Sequence, residues 1–168
     1  VLKFKAACIQ LCSSNNVDDN LSKILNYSKQ AIANNSEFIM TPENCSLFSL
    51  DKEELMNKTE NYKNNKFIFS ICDFVKKNKV WFLIGGMPVK DNKNKLFNRS
   101  ILIDKNGKIV NFYDKIHMFD VKLPVPVLIG DLTQPSLKLA ALITVFCWTG
   151  IDPVYCAELV VGSEPSKV

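Results

Sequence analysis

With 168 residues, 47% of them hydrophobic, the chain has the length and composition of one globular domain with a core of its own. Its net charge of +4 comes from 21 basic and 17 acidic residues, and the lysines are scattered among acids and asparagines, which marks a solvated surface and argues against nucleic-acid binding. The longest apolar stretch, Leu139 to Trp148, spans about ten residues where a membrane helix needs roughly 20, so no membrane association is expected.

Six cysteines, Cys8, Cys12, Cys45, Cys72, Cys147 and Cys156, are irregularly spaced, and no signal peptide is expected to precede them. They read as reduced thiols of a cytoplasmic protein. Paired clusters of the C-x2-C kind are missing, so neither a metal site nor a cofactor is expected.

In chain order, Phe4 to Leu11 is apolar and too short for a helix, and reads as a buried strand. Asn15 to Asp19 offers a cap and an acidic first turn to a helix that carries Val17, Leu21, Ile24, Leu25, Ser28, Ala31 and Ile32 on one stripe and ends near Asn34. Phe38 to Met40 is a second strand, stopped by Thr41-Pro42 because proline donates nothing to a ladder, and this leaves Glu43 at a strand end. A second amphipathic helix runs from about Asn65 to Lys79 on Phe67, Ile71, Phe74 and Val75. Strands follow at Trp81 to Gly86, Asn98 to Ile103 and Lys108 to Tyr113, the last two joined by the turn Asp104-Lys105-Asn106-Gly107. Gly85 and Gly86 precede no helix and are read as a point of close backbone approach, not as a phosphate loop.

Three segments in this order and spacing, Lys5-Ala-Ala-Cys-Ile-Gln10, Phe38-Ile-Met-Thr-Pro-Glu43-Asn44 and Phe112-Tyr-Asp-Lys115-Ile-His117-Met-Phe-Asp120, resemble the nitrilase superfamily of carbon–nitrogen hydrolases. Trp81-Phe-Leu-Ile-Gly-Gly-Met87 and Phe97-Asn-Arg-Ser100 are similar to that family's middle strands. The resemblance implies an α-β-β-α sandwich within the α/β class, and hydrolysis of a non-peptide carbon–nitrogen bond in a small amide or nitrile. By the same resemblance Glu43 is the general base, Lys115 the cation beside the tetrahedral intermediate, and His117 a structural neighbour of the site.

Chemistry explains the need for such a set. A thiol with a pKa near 8.5 is mostly protonated at neutral pH, so a carboxylate must take its proton as sulfur attacks. The substrate oxygen then becomes an oxyanion that a fixed ammonium stabilises. The nucleophile is sought downstream of Lys115. Cys147 ends the apolar run from Leu139 to Phe146 and precedes Trp148, whereas Cys156 has no comparable strand and is the weaker candidate. The sequence after Cys147, Thr149-Gly-Ile-Asp-Pro153, departs from the family pattern.

Composition changes abruptly along the chain. All seventeen asparagines lie between Asn15 and Asn111, and Pro124, Pro126, Pro135, Pro153 and Pro165 crowd the remainder. Residues 1–124 are therefore expected to be the N-terminal portion of a carbon–nitrogen hydrolase domain and residues 125–168 a divergent tail, leaving the sandwich incomplete at its C-terminal end. The alternative expectation is a truncated or frameshifted, inactive remnant or interaction module, self-associating through an unpaired sheet edge.

Overall fold

The first strand, β1 (Leu2–Ile9), alternates between two apolar faces, with Ala7 and Ile9 buried towards one side and Phe4, Ala6 and Cys8 on the other. A strand apolar on both faces belongs in the middle of a sheet. In the computed structural model, which describes residues 2–116 and 154–161, β1 lies between β2 (Phe38–Met40) and β6 (Val154–Val161) in a six-stranded sheet of order β5-β4-β3-β2-β1-β6. Strands β1, β2 and β3 (Trp81–Lys90) run parallel. Strands β4 (Leu96–Ile103) and β5 (Ile109–Asp114) extend the sheet as an antiparallel meander, and β6 pairs antiparallel with β1.

Between the parallel strands lie α1 (Val17–Ala33) and α3 (Lys66–Asn78), both on one face of the sheet. Their N-caps, Asn16 and Asn65, accept hydrogen bonds from the amides of Asp19 and Ile68, satisfying donors that the first turn leaves open. Ile24 and Ala31 of α1 and Phe67, Ile68, Ile71 and Val75 of α3 pack on Ile39, Phe82, Ile84, Ile101 and Ile103 of the sheet. The described residues thus form one helix layer and one sheet of the expected sandwich. No helix among them is long and apolar enough to cross a membrane.

Several boundaries differ from the sequence reading. Strand β3 does not end at Gly86 but continues to Lys90, because Gly85 and Gly86 form a bulge between the pairs Ile84–Ile101 and Met87–Arg99. A short helix, α2 (Lys52–Lys58), was not foreseen; it buries no residue, so it has no apolar stripe to betray it. Cys156, expected to lack a strand, lies on β6 opposite Ala7. Gly150 and Asp152-Pro153 ahead of Val154 were the turn signal that marks the start of this strand. The turn after β4 behaves as expected: the Asp104 carboxylate accepts from the amides of Asn106 and Lys108, and Gly107 takes the positive φ of 77°.

Candidate active site

The carboxyl end of β2 lies against the middle of β3, at the bulge. Thr41 donates its amide to the Leu83 carbonyl and accepts the Gly85 amide on its hydroxyl, and the Cys45 amide closes on the Gly86 carbonyl. Residues 41–45 are therefore clasped to β3 on both sides of Glu43. Buried Asn20 of α1 holds the same loop from behind, donating to the carbonyls of Ser14 and Ser46. Glycine is required at the first position of the bulge and fits tightly at the second. A Cβ on Gly85 would stand 2.0 Å from the Thr41 carbonyl oxygen, and one on Gly86 would stand 2.9 Å from Asn98 Oδ1 and 3.1 Å from Glu43 Cγ. The close approach read from this glycine pair is thus what admits Glu43 to the sheet.

Glu43 and Lys115, seventy-two positions apart, are brought together. Lys115 Nζ lies 2.6 Å from Glu43 Oε1, and Asn98 Nδ2 donates to the same oxygen, also at 2.6 Å. Both bonds converge on Oε1, so neither occupies Oε2. The side chains of Glu43 and Lys115 keep about a third of their surface exposed, at 36% and 29%. An ion pair this open to solvent contributes at most about 1 kcal/mol to stability.

Lys115 is aimed by the strand pair that precedes it. Its amide donates to the Asn98 carbonyl, and on the other side of β4 Arg99 grips Asp114 with two bonds of 2.6 and 2.7 Å. The Arg99 guanidinium lies between the rings of Tyr62 and Phe112, 4.3 and 4.1 Å from their centroids. The hydrogen bond to Asp114 raises the Arg99 pKa further, against the opposing effect of partial burial. This fork fixes the residue next to Lys115.

Asn98 went unremarked in the sequence. The polar run Asn98-Arg99-Ser100 inside a strand that is otherwise apolar is out of place by propensity, and that was the available signal. His117 and Cys147 lie outside the described residues, as does the run that precedes Cys147. Cys12, Cys45 and Cys72 are free thiols. Cys45, two positions from Glu43, is fully buried, and burial pushes its thiol from 9.0 up to about 11, with the Thr41 hydroxyl opposing in part. It is therefore a neutral packing group at physiological pH. The folded chain holds this proton more tightly than the unfolded one, so the contribution is complete below pH 9.0 and fades as pH rises towards 11. Alkylation by iodoacetamide at pH 8, mapped by mass spectrometry, is expected to mark exposed Cys12 and to spare Cys45 until denaturant is added. Rapid native labelling of Cys45 would contradict this.

This sheet with parallel central strands and helices on one face, with Glu43 after β2 paired to Lys115 after β5, matches solved structures of the nitrilase fold. The chain superimposes on the NitFhit protein of C. elegans with a TM-score of 0.65 at 23% identity, covering 76% of this chain and 31% of that one. On Saccharomyces cerevisiae Nit3, a member of the nitrilase superfamily, the TM-score is 0.60 at 22% identity, covering 68% and 45%. The carbon–nitrogen hydrolase family model matches residues 5–148, and the chain belongs to that family. Among curated relatives, the deaminated glutathione amidase of Yersinia enterocolitica is 32% identical over 119 residues, 70% of this chain and 41% of its own length. The NitFhit fusion protein of Drosophila melanogaster is 27% identical over 159 residues, 95% of this chain and 30% of its own. The chain thus spans less than half the length of either relative.

Proposed function

We propose that the chain hydrolyses a small primary amide through a cysteine thioester, with Cys147 as nucleophile, Glu43 as general base and Lys115 as the oxyanion's partner. The observation that carries this reading is the convergence of Lys115 and Asn98 on Glu43 Oε1, which holds the carboxylate in one orientation and presents Oε2 for proton transfer. The family match runs past the composition break and includes Cys147, which supports its choice over Cys156. Relatives named as amidases favour amides over nitriles.

In the reaction, Cys147 sulfur gives its proton to Glu43 and bonds to the carbonyl carbon, and the carbonyl oxygen takes the electron pair beside Lys115. The intermediate collapses as Glu43 returns the proton to nitrogen, and ammonia leaves. Water then attacks the thioester, losing a proton to Glu43, and the acid departs with the thiol restored. Ammonia release from a panel of primary amides is expected for the chain and is expected to vanish in Cys147→Ala. Undiminished turnover in that variant would remove Cys147 from the mechanism.

A second reading, self-association, draws on the sheet face opposite α1 and α3. There the Phe4 and Phe38 rings meet tilted at 6.0 Å between centroids, Leu83 is half-buried and Trp81 is 38% exposed. Apolar surface of this kind favours pairing with another sheet face. Sedimentation velocity decides it: a concentration-dependent shift towards dimer supports association, and a single monomeric species at all concentrations rejects it.

A further inference from the structure

Beside the Glu43–Lys115 pair runs an open groove of about 210 Å³. Its walls are mostly apolar: Leu47 and Phe48 come from the loop after Glu43, Leu55 from α2, and Leu96 and Phe97 from β4. Asn98, which donates to Glu43 Oε1, and Asn44, next to Glu43 in the chain, also line it, so the groove borders the pair. Among the described residues, no charged side chain lines it. The apolar wall stays partly bare, with Phe48 46% exposed, and α2 buries none of its own residues. Yet α2 is tethered in place. Asn15 Nδ2 donates to Glu54 at 2.7 Å, Lys58 reaches the Asn15 carbonyl at 2.8 Å, and Lys90 reaches the Met56 carbonyl. A polar frame that holds an apolar wall open beside a reactive pair has the character of a ligand subsite.

We infer that this groove takes the uncharged, apolar acyl chain of the amide whose carbonyl lies at Glu43 and Lys115, an inference that rests on the amidase reading. The volume agrees, since it falls below the roughly 300–1,000 Å³ of a whole-ligand pocket and suits one arm of a substrate. A carboxylate on that arm would lose its water without gaining a charged partner in the lining, which disfavours acidic acyl groups.

The test measures ammonia release from propanamide, butanamide, hexanamide and succinamate, alongside the binding of hexanamide followed by the methyl resonances of Leu47, Leu55 and Leu96. Expected is a rise in kcat/KM of about threefold to fourfold per added methylene, little turnover of succinamate, and a flattened series in Leu55→Trp, which fills the groove. A flat series in the unaltered chain, or succinamate preferred over butanamide, overturns the subsite while leaving the hydrolase intact. If no amide is turned over, the hydrolase reading fails and the binding measurement decides alone. Shifts at the three leucines uphold the groove as an apolar ligand site, and their absence up to the solubility of hexanamide overturns it.

Discussion

Glu43→Gln is expected to lower kcat for amide hydrolysis by about 10²–10⁴-fold, the usual contribution of a positioned general base, with KM changed little. Glutamine keeps the shape of the side chain and an amide oxygen that still accepts from Asn98 Nδ2 and Lys115 Nζ, as Oε1 does now. What it loses is the capacity to take a proton. Because the pair is a third exposed, the fold should feel the change by no more than about 1 kcal/mol. The comparison of kcat with the thermal melt therefore separates chemistry from structure. A variant that retains more than a tenth of the activity would show that Glu43 is an ordinary strand-end acid.

Gly85→Ala is expected to act in the opposite way, on stability first. The added Cβ would meet the Thr41 carbonyl oxygen at 2.0 Å, and that oxygen is main chain, so relief requires prising β2 from β3. The bonds at risk are the Thr41 amide to Leu83 and the Gly85 amide to the Thr41 hydroxyl. Overpacking of this kind costs about 3 kcal/mol, the upper part of its usual range, and at roughly 2–4 °C per kcal/mol should lower Tm by about 6–12 °C. Gly86→Ala makes a useful contrast. Its nearest obstacles include Asn98 Oδ1 and Glu43 Cγ, side-chain atoms that can give way, so it should melt closer to the unaltered chain while displacing the carboxylate. Circular dichroism melts of the two variants, with ammonia release measured on each, test the distinction. Equal melting of Gly85→Ala and the unaltered chain would contradict the account of the bulge.

Helices α1 and α3 were legible because each announces itself twice, by a polar cap and by an apolar stripe that tertiary packing then uses. Strand β2 was legible from the proline that ends it. The reach of β3 beyond Gly86 was hidden because a glycine pair signals a stop and a bulge equally well, and only the partner strand shows that pairing resumes at Met87. Helix α2 was hidden because it buries nothing. Within the site, Glu43 and Lys115 were found through the segments that surround them, not through any property of the two residues. Asn98 and Asn20 act through hydrogen bonds to residues far along the chain, 55 positions to Glu43 and 26 to Ser46, and separations of that kind leave no local pattern.

The central claim, that Glu43 and Lys115 serve a cysteine nucleophile in amide hydrolysis, is tested most directly by acid-quenching the chain during turnover of a primary amide and mapping acylated peptides by mass spectrometry. The account predicts an acyl thioester on Cys147, removed by hydroxylamine and absent in Cys147→Ala. Turnover of the amide with no acyl group on Cys147, or with the acyl group on another cysteine, would contradict it.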